Sequence, residues 1–192
     1  IEAGCNLLGE NKVQELLEKY ESYDKRAEIH FIGSLQTNKV KYIIDKVKMI
    51  HSVDSLSLAK EIDKQAKKHS LVMDVLVEIN SGREEAKGGV LPEDAAEFCL
   101  ALSAFPHVRL RGFMTMAPKC TSFAEYYDYF KETYNLSIDI WKNTLHTVFC
   151  SPVPQAGRLS VGRVRSPVIK FHCLLQKPVD HFVLLRYTDL AF

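Results

Sequence analysis

The 192 residues carry 46% hydrophobic and 26% charged side chains, the composition of an ordinary soluble globular chain with enough material for one substantial core. Lys and Arg (25) nearly balance Asp and Glu (24), so net charge gives no argument for nucleic acid or an acidic membrane surface as a partner. No apolar run approaches the roughly 20 residues needed to cross a bilayer, so no membrane span is expected. Five cysteines, Cys5, Cys99, Cys120, Cys150 and Cys173, are widely spread, odd in number and without a CxxC pair, which reads as reduced thiols in a cytoplasmic protein. The opening Ile1-Glu-Ala-Gly is not a signal peptide and lacks an initiating methionine, so residues are expected before it.

Along the chain, short β-branched or apolar runs alternate with longer stretches of helical period. A first strand is predicted over Asn6 to Gly9, then a helix from about Lys12 to Glu21 with Val13, Leu16 and Leu17 on one face. The second unit pairs the strand Ile29 to Gly33 with a helix from about Leu35 to Val47, where Val40, Ile43, Ile44 and Val47 recur at three and four residues. The strand Met49 to Val53 follows, and Asp54 or Ser55 is expected to cap the next helix, through Leu58, Ile62 and Ala66. Val72 to Ile79 is the longest β-type run. It leads through a Gly-containing loop to Pro92, which suits a first helical turn, and a helix over roughly Glu93 to Ala104. The strand Val108 to Met116 then precedes a long helix bearing Phe123, Tyr126, Tyr127, Phe130 and Tyr134. Strand and helix in alternation predict a parallel sheet with helices on its faces, an open doubly wound sheet or a barrel. Five units do not close an eight-stranded barrel. Residues 1–148 read as one domain. Residues 149–192, punctuated by Pro and Gly, form a divergent tail of uncertain structure in which Phe182 to Leu185 has strand character.

Asn11, Ser52, Asn80 and Thr115 stand at or just after predicted strand ends, where a barrel delivers side chains to its mouth. A short polar residue there either hydrogen-bonds a ligand or holds a loop, and the residue types alone favour the loop. His30 and His51 lie inside apolar strands and read as core histidines, since no second imidazole or thiol has metal-ligand spacing. Gln36, Asn38 and Lys39 open a helix at a strand's carboxyl end, either lining the mouth or finishing the cap. Lys39, Lys41, Lys46 and Lys48 read as a solvated helix face without the aromatic interleaving that stacks on bases. Arg83, Glu84, Glu85 and Lys87 read as solvated charge on a loop, although paired carboxylates can do acid and base work. Met114 and Met116 alternate with Thr115 in the fifth strand, and packing on one face is their simplest role.

Several of these stretches stand together as a signature. Gly9-Glu10-Asn11 with Val13-Gln14-Glu15-Leu16, His30-Phe31-Ile32-Gly33 with Leu35-Gln36 and Asn38-Lys39, and His51-Ser52-Val53-Asp54 occur in that order. Ile79-Asn80 with Glu84, Glu85, Lys87 and Gly89, and Gly112-Phe113-Met114-Thr115, follow. The set covers roughly the first three quarters of the chain and resembles the pyridoxal phosphate homeostasis family, single-domain relatives of the alanine racemase barrel.

The resemblance implies a partial TIM-type (β/α) barrel of the alanine racemase N-terminal-domain type, missing its first strand and its last two. It implies a pyridoxal 5'-phosphate-binding, non-catalytic protein of intracellular cofactor homeostasis, impaired in this chain. Asn11, Ser52, Asn80, Met114 and Thr115 are then cofactor-binding residues, with a methionine beside the flat ring. In the family a lysine on the first strand, in a Val-Ser-Lys-Thr-Lys type run, forms a Schiff base with the cofactor. No lysine of this sequence stands in such a run, so none is assigned that role, and no catalytic residue or metal ligand is assigned. Family segments that would bind the phosphate have no clear match after about Val148; Gly157 to Arg163 is only a faint phosphate-loop pattern. A pyridoxal-phosphate-dependent amino acid racemase is the alternative from a different class, needing a second domain and a tyrosine base. A non-catalytic protein-interaction module is the third reading. A monomer is expected, with self-association through exposed strand edges.

Overall fold

The computed structural model describes residues 1–2 and 5–145 and two further strands, 168–176 and 180–188. Five strands, β1 (Leu7–Glu10), β2 (Glu28–Phe31), β3 (Met49–Val53), β4 (Met73–Ile79) and β5 (Val108–Met116), lie side by side in chain order and pair in parallel. The helices between and after them are α1 (Val13–Lys19), α2 (Val40–Ile43), α3 (Leu56–Lys68), α4 (Ala95–Leu102) and α5 (Phe123–Ile140). Parallel neighbours need such crossovers, and the alternation in the sequence is their direct trace.

Period-two alternation divides the strand residues between two faces. Ile29 and Phe31, Ile50 and Val53, Val75, Val77 and Ile79, and Phe113 join the main core with Leu16, Val40, Ile43, Leu58, Ile62, Ala66, Cys99 and Leu102 from the helices. Met49, Leu76 and Met114, with Ile32 against them, form a separate small cluster on the other face. Helices thus cover one face while the other turns inward, the layering of a barrel wall. Complete burial of a side chain such as Phe31 or Phe113 stabilises this wall by about 1.5–3 kcal/mol.

The local signals act where the sequence places them, with two differences, at α2 and at Pro92. The helix expected over 35–47 is a 3-10 turn at Thr37–Lys39 followed by a single α turn, α2. The Lys48 amide already donates to Ile29 O (2.8 Å), so the chain must leave the helix within a few residues to enter β3. Val40, Ile43, Ile44 and Val47 are nonetheless all buried, which is what their spacing reported. Ser55, not Asp54, caps α3, its hydroxyl accepting from the Leu58 amide (3.4 Å). Pro92 opens a 3-10 turn, Pro92–Asp94, ahead of α4 rather than the α-helix itself. At α5 the cap is Ser122, accepting from Glu125 N–H (3.3 Å), while Glu125 reaches back to the Thr121 amide (2.8 Å); such reciprocal bonds satisfy donors that a helix start leaves orphaned.

Two strands stand within the stretch read as a tail. β6 (Val168–Gln176) and β7 (Asp180–Thr188) form an antiparallel hairpin, and β7 pairs antiparallel with β5 from Gly112 to Met116. Phe182 to Leu185 falls inside β7. The open edge expected at the fifth strand is therefore covered, because β5 has exchanged the parallel neighbour of a closed barrel for a hairpin. β1 has a partner on one side only among the described residues. Gly157 to Arg163 lies outside the described residues.

Candidate functional site at the strand ends

All five parallel strands point their carboxyl ends the same way, and the polar residues of the signature gather there. Gly33, just past β2, meets the backbone of Asn11, just past β1: a Cβ on Gly33 would stand 2.1 Å from Asn11 O and 2.8 Å from Asn11 C. Only glycine permits that approach. The Ile32 amide donates to Glu10 O (2.9 Å), and Ser52 Oγ donates to Gly33 O (2.6 Å). Asn11, Gly33 and Ser52 are thus tied across three successive strand ends, with the Asn11 side chain exposed and Ser52 buried.

Asn80 sits at the end of β4 and organises the loop that follows. Its Nδ2 donates to Glu84 O (3.0 Å) and Lys87 O (3.4 Å), and its Oδ1 accepts from Glu84 N–H (3.1 Å). The amides of Asn80 and Val90 close the loop by donating to Val90 O (2.9 Å) and Glu78 O (2.8 Å). Gly89 returns the chain with φ +109°, a region that an L side chain rarely adopts. Arg83, at φ +52°, pins the loop to α5 through Glu132 (2.8 Å) and also lies 3.3 Å from Glu93. Replacing Asn80 by alanine removes three backbone partners at once. A loss of about 1–2 kcal/mol is expected, with hydrogen exchange of the Glu84 amide accelerated; an unchanged exchange rate there would contradict the loop-holding role.

Adjacent residues of a strand point to opposite faces, so Met114 and Thr115 cannot line the same space. Thr115 is fully buried on the helix side, donating to Ile79 O (2.8 Å) and lying 2.8 Å from Ser81 Oγ. Met114 is buried on the inner side against Met49 and Leu76. Met116, two residues on, shares that inner side, stands closer to the mouth and is 39% exposed. The alternation of the two methionines was the signal for this.

Glu78, which the sequence reading passed over, is directed to the inner side beside Met114, its register partner on β5. Burial, and then the nearby charge of Asp54, push its carboxyl up to about 7. The longest β-type run carries it as one of two acidic residues, with Asp74, and that alone did not single it out. Deeper on the inner side, His30 Nδ1 and His51 Nε2 share a 2.9 Å hydrogen bond with the rings edge-on, in keeping with core histidines. Among the described residues no three His, Cys, Asp or Glu side chains group as a metal site. None of the strands β1 to β5 carries a lysine. A separate cleft of about 510 Å³, lined by Tyr20, Tyr23, Ile29, Lys46, Lys48 and Met73 among others, opens at the opposite, amino-terminal ends of β2 to β4.

Parallel β/α units set side by side as a barrel wall, with polar residues at the carboxyl ends of the strands, match the fold of the alanine racemase N-terminal domain. The profile of that domain matches residues 1–145, and the chain belongs to this family. Its similar relatives include the pyridoxal phosphate homeostasis proteins of Aquifex aeolicus strain VF5 and Helicobacter pylori strain 26695. The first is 48% identical over 130 residues, 67% of this chain and 57% of the relative. The second is 41% identical over 109 residues, 55% and 49% of the two chains. The chain thus spans about half the length of the curated relatives it matches. Among solved structures, PipY of Synechococcus elongatus PCC7942 with PLP bound superposes with a TM-score of 0.68 at 27% identity, over 75% of this chain and 68% of that one. Alanine racemase of Clostridium difficile 630, at 21% identity and a TM-score of 0.61 over 73% of this chain and 36% of its own, shares the fold alone.

Proposed function

We propose that this chain binds pyridoxal 5'-phosphate at its strand ends, without a covalent link, as a non-catalytic member of intracellular cofactor homeostasis. The observation that carries the reading is the coincidence of the family's sequence signature with one rim of the sheet: Asn11, Gly33 and Ser52 tied across three strand ends, with Met116 exposed at the same end of β5. These residues fit the ring end of the cofactor. The Asn11 carboxamide offers a donor and an acceptor to ring substituents. Ser52, whose proton is held by Gly33 O, offers lone pairs. Met114 and Met116 supply an apolar, polarisable surface for a flat ring. Asn80 and Thr115 act one step behind, holding the loop and strand ends that shape the mouth. When bound, the cofactor would bring an electron-withdrawing ring and an aldehyde; no strand residue of β1 to β5 offers an amine to meet that aldehyde. The free thiols of Cys5, Cys99 and Cys120 support a reducing, cytoplasmic setting. We place self-association, where it occurs, at the outer edge of β1.

The test is equilibrium dialysis of the purified chain against pyridoxal phosphate, with pyridoxal as the control, followed by borohydride reduction and peptide mapping. Stoichiometric retention with no single lysine carrying the reduced cofactor is the expected result. A pyridoxyl group fixed on one lysine would overturn the noncovalent claim and name its residue. Absence of retention would overturn the cofactor reading.

A further inference from the structure

The inner side of the sheet carries a carboxyl that nothing in the proposed site yet uses. Glu78 lies one residue before the end of β4, level with Met114 and just above the floor made by Met49, Leu76, Met114 and Ile32. It is half-buried, and among the described residues its carboxyl has no hydrogen-bond or ion-pair partner. The floor beneath it is apolar, so ionising it leaves a charge that neither water nor a protein donor fully compensates. Asp54, just past β3, adds a second carboxylate nearby, and the loop after β4 lies over it: a Cβ on Gly88 would sit 3.1 Å from Asp54 Oδ2.

Among the described residues, the other charged or titratable groups near this side are few and mostly engaged. His51 on β3 is bonded to His30 on β2 (2.9 Å). Lys87 and Glu84, from the loop, pair with each other (2.7 Å). Arg109 and Arg111 on β5 both turn to Asp74 (2.5 and 3.5 Å), at the opposite end of β4. Among the described residues, no cation is therefore paired with Glu78 itself. An anionic ligand entering over Glu78 meets two carboxyls, and the cheapest way to accommodate it is to keep Glu78 neutral, when its O–H also becomes a donor.

We propose that Glu78 is a contact residue of the cofactor site that holds a proton while an anionic ring compound is bound, so that binding takes up one proton and weakens as pH rises through neutrality. The inference rests on the pyridoxal phosphate reading. The proton comes from solvent, and no bond other than O–H is made or broken. A neutral carboxyl and a glutamine carboxamide are similar in shape, so Glu78→Gln is a fixed mimic of the bound state.

Binding of pyridoxal phosphate is measured by equilibrium dialysis from pH 6 to 8.5 for the native chain and for Glu78→Gln, so that titration of the ligand itself is common to both. The affinity of the native chain, taken as a ratio to that of the variant, is expected to fall by about tenfold for each pH unit above 7. Calorimetry of the native chain alone, in two buffers of different ionisation enthalpy, is expected to find proton uptake at pH 7.5. Parallel pH profiles for the two proteins, or binding without proton uptake, would overturn the inference and leave the cofactor reading standing. Failure of both proteins to bind at any pH would overturn the cofactor reading, and this inference with it.

Discussion

Gly33→Ala is expected to lower stability by about 3 kcal/mol or more and to abolish ligand retention, without any side chain of the candidate site having been changed. The added methyl would lie 2.1 Å from Asn11 O, with the carbon of the same carbonyl at 2.8 Å. Backbone cannot step aside as the tip of a lysine does. Asn11 follows directly on Glu10, whose carbonyl is held by the Ile32 amide, and Gly33 O is held by Ser52 Oγ. Relief therefore requires β1 and β2 to part at their carboxyl ends, which separates Asn11 from Ser52. Urea unfolding and dialysis of the variant measure both effects. A midpoint and a ligand affinity equal to those of the native chain would contradict the close approach at the centre of the site.

The second large effect is on stability against pH. Glu78 has a carboxyl pushed up to about 7 from its ordinary value of 4.5, so the folded chain holds this proton more tightly than the unfolded chain does. A raised acid contributes stability that is fully present below the unfolded value and is lost as pH rises through the folded one. Between pH 4.5 and pH 7 the difference accumulates, and above pH 7 it is complete, on the order of 3 kcal/mol. Glu78→Gln removes the proton equilibrium while keeping the volume. The two proteins are therefore expected to have similar stability at pH 4.5 and to diverge at higher pH, the native chain being the less stable at pH 8.5. Unfolding curves that run parallel across this range would contradict the burial of an uncompensated carboxyl on the inner side.

Much of the scaffold was legible because the determinants are local. The alternation of β-branched runs with helical periods announced five parallel strands, and the buried faces of α2 and α3 are the residues whose spacing marked them. What spacing cannot report is length: Val40, Ile43, Ile44 and Val47 face the core whether they ride on three turns of helix or on one, and the nearness of β3 decides. The hairpin of β6 and β7 was scarcely legible, since a pairing with β5 across about seventy residues leaves no periodic trace in either partner. At the site, the motifs brought attention to the right strand ends, while the division of labour within them is geometric. Asn80 is an anchor because the following loop folds back on its amide. Thr115 is buried because Phe113 faces the helices and parity carries Thr115 with it. Glu78 became visible only when its inner-facing position and the proximity of Asp54 were both known, and neither is encoded in neighbouring residues.

The measurement that bears most directly on the central claim is an amide chemical-shift map of the chain titrated with pyridoxal phosphate. Shifts are expected at Asn11, Gly33, Ser52 and Met116, with smaller ones through Glu78 and the loop after Asn80. Shifts confined to the opposite cleft around Tyr20, Lys46 and Met73, or none at all, would contradict a cofactor site at the carboxyl ends of the strands.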